Sequence, residues 1–132
     1  MVEQSTEAIV VLLTAGSREE AARLADMLVG SRLAACVQIM AEMESVYHWQ
    51  GQIERAPEIL LLAKTTPENF AELEREVRAL HSYETPEIVA LPVTDASAPY
   101  LAWLAANVLR HRQDEESEAS TNAAGDSQAQ EP

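Results

Sequence analysis

The sequence predicts an α+β domain: strands and helices in the order βαββαβ, a split βαβ arrangement, followed by one more helix. The helices are expected on one face of an antiparallel sheet. Three observations lead there. Short β-branched runs alternate with segments whose apolar residues recur at helical spacing. Two strand-like stretches in the middle flank a tight turn, so they pair as a ribbon. A length of 132 residues, 47% of them hydrophobic, allows one domain with an ordinary core.

Ala8–Leu13 (AIVVLL) is a continuous β-branched run, suited to a strand buried on both faces. Ser17, with Glu20 three residues on, has the pattern of a helix capping box. Ala21, Leu24, Ala25, Leu28 and Val29 then form one apolar stripe, and Gly30-Ser31 ends the helix. From Leu33 to Lys64 the chain reads as a long ribbon. Cys36–Met40 and Ser45–Trp49 are strand-like, separated by a softer stretch over residues 41–44. Gln50-Gly51 marks the turn, and residues 52–63 return. Pro57 in the return path implies a bulge or an edge, because proline cannot donate to the ladder. Such a ribbon exposes an edge, and a second copy of the chain is a natural cover for it.

Thr66-Pro67 reads as a helix start, threonine as cap and proline at the first helical position. Phe70, Leu73, Val77 and Leu80 carry its apolar stripe to His81. Glu87–Val93 (EIVALPV) is the last strand, and Ser97 caps a helix through Tyr100, Leu101, Trp103, Leu104 and Val108. Residues 1–7 are thus a short polar start, 8–112 the folded domain and 113–132 a tail.

The tail holds six of the 22 acids, no basic residue and no large apolar one. It cannot bury enough surface to offset its ordering entropy, so disorder is expected there. The formal net charge is −13, of which −7 belongs to residues 1–112. An acidic chain is a poor general binder of nucleic acid, whose phosphates need a basic face. The longest apolar runs fall far short of a membrane span. Met1–Glu7 is acidic and polar, unlike a signal or transit peptide, so a cytoplasmic location is expected. A single cysteine, Cys36, excludes an internal disulfide framework.

Chemistry concentrates in a few places. Lys64 is the one lysine among eight arginines, at a strand end just before a helix. A compact ammonium beside helix N-terminal amides suits anion binding or proton transfer; it equally suits a charge anchoring a sheet edge. His81, Tyr83, Glu84 and Glu87 lie within seven residues at a helix-to-strand crossing, where sites often sit. His81 could serve as base, donor or metal ligand, or could satisfy helix C-terminal carbonyls. Tyr47 and Trp49 share a strand face that His48 leaves, either lining a pocket or covering a subunit contact. Cys36 reads most simply as a small buried hydrophobe. No glycine-rich phosphate loop, paired metal-spaced histidines or serine nucleophile elbow occurs.

Five linked motifs carry a resemblance. They are Arg32–Val37 (RLAACV), Ser45–Glu54 (SVYHWQGQIE), Glu58 with Lys64–Thr66, His81–Ile88 (HSYETPEI) and Tyr100–Leu104 (YLAWL). Together, from about Ile9 to Leu109, the chain resembles the CutA divalent-cation-tolerance family. The resemblance implies a ferredoxin-like subunit in a tight homotrimer, with long ribbons pairing between chains. It also implies architectural kinship with the PII signalling proteins, whose trimers bind small ligands in clefts between subunits. Carried over by residue, that cleft is lined here by Cys36, Tyr47, Trp49, Glu58, Lys64, His81, Tyr83 and Glu87, with Trp103 closing it.

Some members of the family are credited with copper binding through a cysteine and two adjacent histidines. At the matching places this chain has Leu13, then Leu80 followed by His81, so one ligand of three remains. A lone imidazole holds a transition metal poorly. The leading expectation is a non-enzymatic homotrimer binding a small anionic ligand, with a signalling or carrier role. Lys64 supplies the charge, Tyr47 and Trp49 the walls, and His81, Tyr83 and Glu87 directional hydrogen bonds. A divalent-metal protein, with copper as the cofactor, is the alternative; an enzyme using Lys64 and His81 as an acid–base pair ranks last.

Overall fold

The computed structural model describes residues 7–109, and the expectation for the acidic tail at 113–132 lies outside them. Four strands and three helices follow one another: β1 (Ile9–Ala15), α1 (Arg18–Gly30), β2 (Cys36–Trp49), β3 (Gln52–Thr65), α2 (Phe70–Leu80), β4 (Ile88–Pro92) and α3 (Ala98–Ala106). The sheet order is β2-β3-β1-β4 with every pair antiparallel. This is the ferredoxin-like α+β subunit that the order βαββαβ predicts, with α3 as the extra helix.

The two faces of the sheet differ because side chains alternate along each strand. Val11, Leu13 and Ala15 of β1 and Ile59, Leu61 and Ala63 of β3 point to one face and pack against Leu24 and Leu28 of α1 and Leu73 and Val77 of α2. The opposite face carries Val10, Leu12, Leu60, Leu62, Val89 and Leu91. Val89 and Leu91 are 46% and 47% exposed in the subunit, so this second face is apolar without being covered there. The helical stripes are narrower than the spacing predicts: Val29 and Leu80 are exposed, each one position beyond its helix's buried line.

Local chemistry sets the element ends. Ser17 accepts from the Glu20 N–H at 3.1 Å and Ser97 from the Tyr100 N–H at 3.3 Å, as N-caps do. Gln50 (φ 52°) and Gly51 (φ 79°) are both left-handed, the backbone of a two-residue hairpin turn whose twist matches its strands. Thr66 differs from expectation. One 3-10 turn, Pro67–Asn69, precedes α2, and the Thr66 hydroxyl accepts from the Asn69 side chain at 2.9 Å instead of capping the backbone.

β2 is also one continuous strand, where the softer residues 41–44 predict a break. A bulge absorbs the irregularity: Ile39 pairs with Leu61 but Glu42 with Ile59, so Met40 and Ala41 together face Leu60. Pro57 lies opposite Glu44, beyond the last β1–β3 pair, Ala15–Ile59, so β3 has a ladder partner on one side only there. Past that point β2 and β3 run on alone as a two-stranded ribbon.

Candidate functional site

At the base of the ribbon, three elements meet in one hydrogen-bonded cluster. Glu58, on β3, accepts from the Ser45 hydroxyl of β2 at 2.7 Å through Oε1 and from the Tyr83 phenol at 2.9 Å through Oε2. Tyr83 arrives on the loop after α2 and passes over Gly16, where β1 hands over to α1. A Cβ at Gly16 would sit 3.1 Å from the Tyr83 hydroxyl oxygen, so the missing side chain is what lets the phenol reach Glu58. Burial pushes the Tyr83 phenol up to about 12, helped by its bond to Glu58 and by the negative charges of Glu58 and Glu20.

Behind Tyr83 the loop is locked. His81 Nε2 lies 2.7 Å from the Thr14 carbonyl oxygen, which can only accept, so Nε2 carries the proton. Nδ1 then accepts from the Tyr83 backbone N–H at 3.0 Å. The His81 side chain is 0% exposed. Glu20 completes the lock: its carboxylate accepts from the Ser82 N–H at 2.7 Å, the Ser82 hydroxyl at 3.1 Å and the Gly16 N–H at 3.3 Å. Burial alone would raise the Glu20 carboxyl. The Ser82 and Gly16 hydrogen bonds hold it below the usual carboxylate range.

Tyr47 and Trp49 share the ribbon face of Ser45 and Glu58, as alternation predicts, and both are exposed. Glu87, just before β4, is exposed and makes no hydrogen bond or ion pair among the described residues.

Lys64 stands elsewhere. It is on the uncovered sheet face, paired with Cys36 on β2 and Val10 on β1. Its Nζ lies 5.9 Å from the centre of the Tyr100 ring on α3, and Tyr100 in turn lies against Trp103 with ring centres 5.6 Å apart. Six residues of β3 separate Lys64 from Glu58, about 20 Å of strand. The expected cleft residues therefore do not meet within a subunit: Glu58 and Tyr83 stand at the ribbon base, Tyr47 and Trp49 lie farther out toward the hairpin turn, and Cys36, Lys64 and Trp103 are at the other end of the sheet.

Two expectations are corrected by this geometry. His81 offers no nitrogen to a metal or ligand, because Thr14 and the Tyr83 N–H occupy both. Nor can His81 and Lys64 act as an acid–base pair inside one subunit. His81 binds Thr14 and Lys64 pairs with Val10, four residues or about 13 Å apart along β1, far beyond hydrogen-bond reach. Among the described residues no group of three or more His, Cys, Asp or Glu side chains could hold a metal ion, and Leu13 is core. Sequence reasoning also missed Glu20, Ser82, Ser45 and Gly16. Glu20 reads as a helix cap, and nothing local signals its partner on the far loop.

A ferredoxin-like subunit with an extended β2–β3 ribbon and a polar cluster at the ribbon's base defines a narrow class. The family described as CutA1 divalent ion tolerance protein matches residues 9–107, and the chain belongs to that family. The family's name denotes ion tolerance and no reaction. The divalent-cation tolerance protein CutA of Thermus thermophilus is 49% identical over 98 residues, covering 74% of this chain and 95% of that protein. The chloroplastic protein CutA of Arabidopsis thaliana is 42% identical over 101 residues, covering 76% of this chain and 56% of that protein. Among solved structures, CutA1 of Thermus thermophilus superposes with a TM-score of 0.75 at 48% identity, covering 76% of this chain and 98% of that one. CutA1 from Oryza sativa superposes with a TM-score of 0.79 at 36% identity, covering 81% and 98%.

Proposed function

We propose that the chain works as a homotrimer that binds a small anionic ligand in clefts between subunits. One observation carries this reading: the candidate residues are split between two ends of the sheet, each beside a surface that the subunit leaves open. The ribbon beyond Pro57 has free edges and exposes Val46, Tyr47, Trp49 and Ile53. The second sheet face exposes Val89 and Leu91. Contact between copies covers both and brings the ribbon base of one subunit to the Lys64 end of the next. Lys64 then supplies the charge, Tyr47 and Trp49 the apolar walls, and Tyr83 with Glu58 the directional groups. His81 holds Tyr83 in place from behind.

The names of the relatives point to divalent ions, and a role in ion tolerance fits this chain through its family. Direct coordination of copper at Leu13, Leu80 and His81 has no support in their geometry. Native mass spectrometry of the gently purified full chain, with an elemental scan of the same sample, tests the proposal. The expected result is a trimer carrying a small organic mass that Lys64→Ala loses. A monomer, or a trimer with stoichiometric copper and no organic mass, overturns it.

A further inference from the structure

The His81 ring is wholly buried, and its bonds fit one protonation state only. Nε2 donates to the Thr14 carbonyl at 2.7 Å and Nδ1 accepts the Tyr83 N–H at 3.0 Å, so the ring is neutral as bonded. The same Nδ1 lies 3.4 Å from Glu20 Oε2. One nitrogen thus has a donor and a carboxylate competing for it. Without a proton it serves the donor. With a proton it can serve only the carboxylate, and the Tyr83 N–H is left facing another donor.

The groups around the ring favour the proton. α1 brings Glu20, whose carboxyl burial would raise; the Ser82 and Gly16 bonds hold it low, so it is still ionised where an imidazole takes up a proton. α2 ends at His81, where the Val77 carbonyl accepts the His81 N–H at 2.9 Å and the helix dipole favours a cation. β1 brings the Thr14 carbonyl. The Tyr83 ring lies 4.7 Å from the imidazole, with the Glu58 carboxylate of β3 and the Tyr47 phenol of β2 beyond it. Among the described residues Glu20 and His81 pair with each other and with no lysine or arginine. Burial opposes the proton, and the charge that faces the ring invites it.

We propose that His81 is a proton-operated latch on the ribbon base: a proton on Nδ1 exchanges the Tyr83 N–H bond for an ion pair with Glu20, and the loop then releases the Tyr83 phenol from Glu58. The exchange is exclusive because both partners need the same nitrogen. Ser82 carries it further, since the Glu20 oxygen that turns to His81 is the one that accepts the Ser82 N–H at 2.7 Å. Two bonds of the loop are therefore disturbed by one proton. Acid loosens the ribbon from the body while the apolar core stays packed. The latch works inside one subunit and needs no ligand, so it stands apart from the anion-site reading.

NMR of the isotopically labelled full chain, from about pH 8 down to about pH 5, covers the range in which imidazoles change charge and tests the latch. The ring nitrogen shifts of His81 report when Nδ1 gains its proton. Over the same step the exchange protection of the Tyr83 N–H should fall at least about tenfold, the worth of one hydrogen bond. The His81 N–H, bonded to the Val77 carbonyl, should keep its protection. His81→Gln offers a donor and an acceptor but takes no proton, and should hold the Tyr83 protection flat across the range. Glu20→Gln should make His81 at least about tenfold harder to protonate, because the attracting charge is gone. The wild type decides the matter even if neither variant folds. An Nδ1 that stays bare to pH 5, an Nδ1 that is protonated while the Tyr83 N–H keeps its protection, or a chain that unfolds before His81 titrates each overturns the latch. A His81→Gln chain that loses Tyr83 protection as the wild type does overturns it as well, and equal protonation in Glu20→Gln overturns the part given to Glu20.

Discussion

Glu20 and Ser82, 62 residues apart, are joined twice: the Ser82 N–H and hydroxyl both donate to the Glu20 carboxylate, at 2.7 and 3.1 Å. The first turn of α1 thereby clamps the loop that follows α2. That loop holds its neighbours in fixed roles, His81 bonded inward to Thr14 and Tyr83 bonded outward to Glu58. The ribbon base is thus tied to the body of the subunit through a chain of named hydrogen bonds as well as through the packing of Ile59 into the core.

The clamp should make stability depend on pH in a definite direction. Glu20 titrates lower in the fold than in the unfolded chain, whose carboxyl has a pKa of about 4.3. Between the two values the unfolded state binds more protons, so stability rises with pH. The contribution is complete above about pH 4.3 and is lost as pH falls through the folded value. Glu20→Gln should cost about 1–3 kcal/mol at pH 7, as expected when a buried charged acceptor of several bonds is replaced. It should also flatten the acid limb. Urea melts at pH 7 and pH 3 check this: an equal difference between wild type and variant at both values contradicts the linkage.

Gly16 and Tyr83 should behave as a coupled pair. Gly16 has no left-handed backbone, so alanine there meets only the space problem, and the nearest atom is the phenol oxygen at 3.1 Å. That oxygen is held by Glu58 and cannot yield freely. We expect Gly16→Ala to destabilise by about 1 kcal/mol in the wild type. In a Tyr83→Phe background it should be neutral or slightly stabilising, because alanine then only restricts the unfolded chain. A double-mutant cycle in urea measures the coupling, and additive effects would show that the contact is not what keeps glycine there.

Much of the fold is legible along the chain, because its causes are local. AIVVLL makes β1, Ser17 and Ser97 cap their helices, and Gln50-Gly51 turns the ribbon. Pro57 announces the place where β3 loses its second neighbour. The site is legible only as a list of residue types. Its bonds run between Glu20 and Ser82, Glu58 and Tyr83, and Thr14 and His81, and no spacing rule links such distant positions. Thr66 failed as a cap for a related reason: a tertiary partner, the Asn69 amide, took its hydroxyl. By residue type alone His81 reads as a ligand, whereas its ring is taken up by the Thr14 carbonyl, 67 residues away in the chain.

Tyr83 should ionise well above the ordinary tyrosine range. Its phenol is pushed up to about 12, by burial first and then by Glu58. A raised value in the fold means that the stability it contributes is fully present below about pH 10 and fades as pH climbs toward 12. Absorbance at the tyrosinate band, taken as the difference between wild type and Tyr83→Phe, should place the Tyr83 step near that value. Glu58→Gln should bring it down only part of the way, since burial remains. A full return to the ordinary value would mean that the carboxylate, and not burial, sets the shift.

The uncovered sheet face makes the last prediction. Leu91 and Val89 pair across the ladder with Val10 and Leu12, and these four side chains form a continuous apolar surface on the side away from α1 and α2. If copies of the chain cover it, a carboxylate there must be desolvated, at a cost of several kcal/mol for each subunit that Lys64, two strands away in the same row, only partly offsets. Leu91→Glu should then convert the assembly to monomer at micromolar concentration, read by light scattering on a sizing column. The change leaves the helical face and its core untouched, so the circular dichroism of the monomer should keep the native helix content. Leu80→Glu is the control. Leu80 is also an exposed leucine, 41% accessible, but it sits at the end of α2 on the opposite side of the sheet. It should leave the assembly intact, and dissociation by Leu80→Glu as readily as by Leu91→Glu would place the contact on the wrong face.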